Sequence, residues 1–362
     1  MARTPRRTPA AAEPILHRAA RIEDAFHAFR EKRARKRGST PTVIPYAGYG
    51  GDGWIRVLCR VLLVAPAKPS EPETTRYKNV RGWRSFTSVP IDDVEVIVSA
   101  GGEEFRVKAN RGGVVDMRIG VDLPYGWNTI GLRTDDSVNV EAPIYVVDPA
   151  VRFGILSDID DTVMVTALPR PFLAAWNTFV LDEHARRPVA GMAVLYERLI
   201  RSNPGAPVIY LSTGAWNVAP TLTRFLSRNL YPSGALLLTD WGPTHDRWFR
   251  SGMDHKRENL RRLAAEFPDI NWLLMGDDGQ HDEQLYSEFL ESFGGNVTAV
   301  CIRQLSASEA VLAGGRSSTD VAGSDRDVPW MYAPDGAGLA EQLIAAKMLP
   351  DTHFQRDSQS DS

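Results

Sequence analysis

Residues 153–163 read FGILSDIDDTV, and this stretch decides the fold. The apolar run Phe153–Leu156 has the length and composition of a buried strand and delivers two carboxylates, Asp158 and Asp160, at its C-terminal end. Side chains at i and i+2 of a strand share a face. The two acids therefore leave a sheet edge together, where open α/β sheets bind ligands. Converging carboxylates hold a cation, and one of them is able to attack phosphorus. An Asp-rich turn also caps helices, so the stretch needs support from elsewhere in the chain.

That support comes in three further segments, each in order. Val208–Gly214 is an apolar run ending in Ser212, Thr213 and Gly214. A hydroxyl with backbone N–H groups at a strand end binds a phosphate oxygen, although the same residues also make a helix cap. Lys256 shares a helical face with Leu260, Leu263 and Phe267, at the start of a helix expected over 254–266. A lysine on an apolar face either snorkels outward or points into a site, and in a first turn it opposes the helix dipole unless an anion offsets it. Trp272–Met275 is apolar and runs into Gly276, Asp277, Asp278, Gly279, Gln280, His281 and Asp282. Asp277 is placed to complete an oxygen site for Mg²⁺ with Asp158 and the Asp160 carbonyl, and Asp282 to order a water or a ligand there. The spacing does not match an EF-hand calcium loop.

The order of these segments resembles the haloacid dehalogenase superfamily, and more closely the actin-patch-type phosphatidate phosphatases with their lipin-like catalytic domain. The resemblance covers about residues 150–305. It extends to Asn177-Thr178-Phe179, Pro188–Ala193, Ser212–Trp216, Thr239–Gly242 and His255-Lys256-Arg257. Two positions depart from it: 212–216 reads STGAW where a form like SNSPW is expected, and Asp278 stands where Ser is usual. Both bear on substrate more than on chemistry.

The resemblance implies a Mg²⁺-dependent phosphomonoester hydrolase working through an aspartyl-phosphate, with phosphatidate as substrate. Asp158 is then the nucleophile and Asp160 the acid and base. Asp158, Asp160 (through its carbonyl) and Asp277 hold the metal, with Asp282 beside them. Ser212, Thr213 and Lys256 hold the phosphoryl group. Thr162 orders the loop, and Asp161 and Asp278 have no assigned role. A phosphatase of a soluble organic phosphate is the alternative, and a non-catalytic lipid-binding adaptor a third.

The rest of the chain sets the frame. At 362 residues it accommodates two domains. It is 43% hydrophobic and 24% charged, as expected of a globular chain, and its net charge of -3 argues against general nucleic-acid binding. The absence of an apolar signal core predicts a cytoplasmic protein. Cys59 and Cys301, in separate apolar runs, read as buried thiols. Residues 1–47 form a basic arm, with Ile15, Ala19, Ile22, Phe26 and Phe29 at helical spacing. Such an arm either docks on its own protein or lies on an anionic inner membrane surface. From 48 to 150 the apolar period is two, which predicts a small β-sandwich-like domain with a polar insert at 66–92 around Trp83. From 151 to 350 apolar strands alternate with amphipathic helices, which predicts a doubly wound, Rossmann-like parallel sheet of α/β class. Residues 351–362 are a polar tail expected to be disordered.

Overall fold

A computed structural model of the chain describes residues 29–65, 88–165, 187–239, 245–279, 281–312 and 327–351, with side chains in the fourth segment from Gly252 onward. The insert around Trp83, most of the basic arm, the Asn177 and Trp241 segments, the Trp248 side chain and the tail beyond Asp351 lie outside the described residues. Among the described residues no helix is long and apolar enough to cross a membrane.

Nine strands build the N-terminal sheet: β1 (Thr40–Pro45), β2 (Gly48–Gly51), β3 (Trp54–Val64), β4 (Val89–Pro90), β5 (Glu95–Ala100), β6 (Glu103–Lys108), β7 (Val114–Gly120), β8 (Gly126–Arg133) and β9 (Val140–Val146). β1 lies inside the segment read from sequence as an arm. The pairing β2–β9 is parallel and the others are antiparallel. β3 organises this sheet because it is apolar on both faces. Its odd-numbered residues Ile55, Val57, Cys59, Val61 and Leu63 enter the sheet's own core. Its even-numbered residues Trp54, Leu58, Leu62 and Val64 join the core of the following unit. Alternation at period two permits this division only where both faces are covered.

The second unit is a six-stranded parallel sheet of β10 (Phe153–Asp158), β13 (Val208–Ala215), β14 (Ala235–Thr239), β15 (Asn271–Asp277), β16 (Val297–Arg303) and β17 (Trp330–Ala333). A small hairpin of β11 (Met164–Val165) and β12 (Arg187–Pro188) follows β10. Its helices are α1 (Met192–Ser202), α2 (Ala219–Arg228), α3 (His245–Glu266), α4 (Asp282–Phe293), α5 (Ala307–Leu312) and α6 (Gly336–Ala345). Spatial order is β14-β13-β10-β15-β16-β17. Numbered by appearance within this sheet, that is 3-2-1-4-5-6, the order of doubly wound folds, whose switch point lies between the first and fourth strands. Here it lies between β10 and β15, the two strands that end in Asp158 and Asp277.

Three sequence expectations change. α3 begins at His245, so Lys256 lies about three turns inside the helix rather than in its first turn. The argument from an opposing helix dipole therefore falls away, because that effect is confined to the terminal turn. β17 was not anticipated, since its four residues lie between Pro329 and Pro334 and show no clear period. Residues 306–328, rich in Ser, Gly and Asp and expected as a loose excursion between strands, open with the short helix α5.

Candidate active site

The site forms at the C-terminal ends of β10, β13 and β15, where the chain leaves the sheet at the switch point. Burial of the strands positions it: Leu156, Leu211, Leu274 and Met275 are all buried. Residues immediately beyond them are aimed over the edge from rigid supports. Tyr286 reaches back from α4 to donate to the carbonyl of Met275 (2.8 Å), and the Ser157 hydroxyl lies 2.6 Å from that of Tyr196 on α1.

Asp158, Asp277 and Asp282 come together, each offering a carboxylate oxygen within 4.8 Å of the others, and all three are buried. Gly276 makes the approach possible. A Cβ there would stand 2.9 Å from the Cβ and Oδ2 of Asp282 and 2.7 Å from the Tyr286 ring. Lys256 enters from α3 and its Nζ donates to Asp158 Oδ1 (2.6 Å) and Asp282 Oδ1 (2.7 Å). Leu260, Leu263 and Phe267 are buried on the same face of the helix, as the spacing predicts. α3 also passes close to the second segment, with Gly252 in a position where a Cβ would meet Thr213 Cγ2 at 3.0 Å.

Ser212 lies on the other side of the β10 turn. Its hydroxyl donates to Asp160 Oδ2 (2.9 Å) and accepts the N–H of Gly214 (2.9 Å). The Asp160 carboxylate is thus turned toward the Ser212 loop and is not a member of the three-carboxylate cluster. Thr213 is half-buried, and its carbonyl accepts from Thr239 Oγ1 (2.9 Å). Thr162 Oγ1 is 3.4 Å from Asp158 Oδ2, a long contact consistent with ordering the loop. Asp278 faces away: its Oδ1 accepts the N–H of Leu305 (2.8 Å), tying the end of β15 to the segment after β16.

The electrostatics express a shortage of positive charge. Burial holds the Asp158 and Asp277 carboxyls well above the usual carboxylate range, and the charge of Asp282 pushes both the same way. Lys256 draws Asp158 back down. Burial disfavours the charged amine of Lys256, but Asp158 and Asp282 outweigh it and keep the amine protonated. One ammonium faces three carboxylates. Hard oxygen donors and excess negative charge are what a divalent cation requires. Among the described residues, no hydrogen bond shorter than 3.4 Å reaches the second oxygens of Asp158, Asp277 or Asp282. The residues therefore fit a hard divalent cation.

Two supports were not seen in the sequence. Tyr46, just past β1, stacks on Trp216 (4.9 Å between centroids, 21° between planes) and donates to its carbonyl (3.1 Å). Trp216 is thus a buried packing residue behind the Ser212 loop. On α3, Arg56 of β3 pairs with Glu266 (2.5 Å) and Asp116 (2.6 Å), Asp116 pairs with Arg262 (2.9 Å), and Tyr49 donates to Glu266 (2.8 Å). The N-terminal sheet thereby grips both the Ser212 loop and the Lys256 helix. Arg303, the other missed residue, ends β16 as Asp158 and Asp277 end their strands. A charge closing a third apolar run was the signal that could have found it.

Comparison with known proteins gives a match over the second unit. Residues 153–304 match the family described as phosphatidate phosphatase APP1, catalytic domain. An uncharacterized protein of Schizosaccharomyces pombe is 25% identical over 153 residues, covering 42% of this chain and 25% of that protein. The phosphatidate phosphatase APP1 of Saccharomyces cerevisiae is 23% identical over 194 residues, covering 53% of this chain and 31% of its own length. The chain thus spans a third or less of the curated relatives it matches. Among solved structures, a carbohydrate acetylesterase from Xanthomonas citri aligns with a TM-score of 0.27 at 11% identity, over 76% of this chain and 73% of the other. That likeness is too slight to bear on fold or function.

Proposed function

We infer, from the match of residues 153–304 to the APP1-type phosphatidate phosphatase family, that this chain is a Mg²⁺-dependent phosphomonoester hydrolase of haloacid-dehalogenase type acting on phosphatidate. The observation that carries the reading is the buried meeting of Asp158, Asp277, Asp282 and Lys256 at the switch point, with Asp160 and Ser212 beside it.

A carboxylate approaching a phosphate dianion is repelled by about 4 kcal/mol per pair of unit charges at ~4 Å and an effective dielectric of ~20. Lys256 offsets part of this by holding a phosphoryl oxygen. Asp158, Asp277 and Asp282 would hold Mg²⁺, together with the Asp160 carbonyl. When bound, the ion supplies charge neutralisation at the phosphoryl oxygens. Asp158 attacks phosphorus, the bond from phosphorus to the leaving alkoxide breaks, and Asp160 gives its proton to that alkoxide. Asp160 then takes a proton from water. The water oxygen attacks phosphorus, the aspartyl-phosphate bond breaks, and inorganic phosphate leaves with Asp158 restored. Ser212, with Thr213 beside it, binds a phosphoryl oxygen and keeps Asp160 oriented between the two steps.

The products are diacylglycerol and phosphate. A lipid substrate accords with a basic N-terminal arm that includes the helical residues 29–36, where Phe29 is 59% exposed among Arg30, Lys32 and Arg33. Phosphate release from phosphatidate in mixed micelles, with Mg²⁺ and with chelator, tests the reading. Asp158→Asn and Asp160→Asn are each expected to abolish release in a folded protein, and full activity in Asp158→Asn excludes the mechanism. Turnover of soluble phosphomonoesters but not phosphatidate would replace the substrate and keep the chemistry.

A further inference from the structure

Arg303 is 5% exposed and serves three acceptors on three segments. Its Nη1 donates to the carbonyl of Asp161 (2.8 Å), its Nη2 to Glu309 Oε1 on α5 (2.6 Å), and its Nε to the carbonyl of Pro334 (3.3 Å). The first of these is the informative one. Asp161 has φ 61°, in the left-handed region that a residue with a Cβ rarely adopts. Its N–H is bound to the carbonyl of Met164 (2.8 Å), and Val163 and Met164 both donate to the carbonyl of Ile159 (3.0 and 3.2 Å). The turn from Asp158 to Met164 is therefore wound tightly, with its least comfortable residue next to Asp160. Arg303 grips the peptide carbonyl on the far side of that residue.

Left-handed backbone at a functional turn persists only where surrounding contacts over-determine it. Arg303 provides such a contact from a rigid strand end. Its own strand end is anchored in turn, because its carbonyl accepts the N–H of Asp278 (2.9 Å) while Asp278 Oδ1 takes the N–H of Leu305 (2.8 Å). Glu309, whose Oε1 accepts from Arg303 and whose Oε2 accepts the N–H of Ser306 (2.8 Å), supplies the counter-charge.

We propose that Arg303 is a positioning residue for Asp160: by holding the carbonyl of Asp161 it keeps the Asp158–Met164 turn wound, so that the Asp160 carboxylate meets Ser212 rather than swinging free. Arg303 touches no reacting atom. This assignment rests on the acid–base role given to Asp160 under the proposed function, and it gives work to Asp161 and Asp278, which the sequence left without any. Lysine cannot replace arginine here, because a single ammonium on a flexible stem does not reach three acceptors that a planar guanidinium spans.

The test uses the full chain as Arg303→Lys and, should that variant fold poorly, Glu309→Gln, which loosens the guanidinium without removing it. Phosphate release from phosphatidate micelles with Mg²⁺ is measured alongside hydrogen–deuterium exchange of peptides covering 158–164 and, as a reference, β3. The expected result for Arg303→Lys is a fall in kcat of about 10- to 100-fold, the scale of a small misplacement of a catalytic group, with KM within about twofold. Exchange should quicken in 158–164 and not in β3, and Glu309→Gln should shift the same quantities less. Unchanged kcat, or exchange quickened equally in β3, would overturn the proposal. A wild-type protein inactive on every phosphomonoester would sink the proposed function instead. The exchange data would then still decide the matter, local acceleration supporting the role of Arg303 in the turn and unaltered exchange refuting it.

Discussion

Replacing Lys256 by Met removes its ammonium from the three-carboxylate cluster while keeping most of the side chain's length and its packing along α3. The amine lies 2.6 Å from one carboxylate oxygen and 2.7 Å from another. At an effective dielectric of about 20, each attraction is worth about 6 kcal/mol gross. Most of that repays the cost of burying the charges, and the net cost of breaking such a buried pair by removing one partner is about 3–5 kcal/mol. In chelator, urea unfolding of Lys256→Met should therefore show a stability loss of that size. The loss should depend on pH. Removing the cation that draws Asp158 down leaves its carboxyl still further above the ordinary carboxylate value. A carboxyl raised in the folded state contributes stability that is complete below its unfolded pKa and lost as pH rises. The deficit of the variant should then be larger at about pH 8 than at about pH 5. Mg²⁺ should recover more stability in the variant than in wild type, a bound ion at 100 times its Kd adding about 2.7 kcal/mol. A loss below about 1 kcal/mol in chelator, or one independent of pH, would refute the reasoning that this amine neutralises the cluster.

The remaining expectations concern the supports. Gly276→Ala should push Asp282 out of the cluster and lower affinity for Mg²⁺ about 10- to 100-fold by calorimetry, because the new methyl meets Asp282 at 2.9 Å. Tyr46→Phe, which keeps the ring on Trp216 but drops the 3.1 Å hydrogen bond, should cost about 1 kcal/mol in denaturant midpoint, and Tyr46→Ala about 3–5 kcal/mol. Burial pushes the imidazole of His255 down to about 4 from 6.5. A group neutral in the fold but protonated when unfolded loses stability as pH falls from 6.5 toward 4, by about 3 kcal/mol in full. His255→Asn should flatten that acid limb, as pH-dependent thermal melts would show.

The parts of the fold that were legible are those in which one residue type repeats at one period. β3 was readable end to end because eleven residues are apolar or alternate, and β10, β13 and β15 were visible as apolar runs closing in Ser, Gly or Asp. Three of the four chemical segments were placed on strand ends, because an apolar run that stops at Asp or Ser marks where a strand leaves its sheet, whereas Lys256 was read from helical spacing. The start of α3 was not legible, since residues 245–253 carry no apolar stripe to mark them as helix. β6, whose pattern is mostly charged, and β2, which is mostly glycine, left no period to detect. The division between Asp282, within the cluster, and Asp278, outside it, was also hidden. It turns on which acid begins α4 and which one meets Leu305, a matter of tertiary placement. Tyr46 acts through the backbone carbonyl of Trp216, and a partner that is a main-chain oxygen leaves no trace in side-chain spacing, while Arg303 left only the charge that closes its apolar run.

The two-sided burial of β3 carries a practical lesson about where this molecule can be cut. Trp54 sits 5.5 Å from Phe267, which itself meets Trp272 at 6.0 Å, so a wedge of aromatic rings crosses from the first sheet into the second. A fragment begun at Val151 would retain Asp158, Asp160, Ser212, Lys256, Asp277 and Asp282 and would bare that wedge to water. Such a fragment should be sticky and short-lived, however complete its set of site residues. The edge of a family match and the edge of a self-sufficient folding unit are separate borders, and here about a hundred residues lie between them.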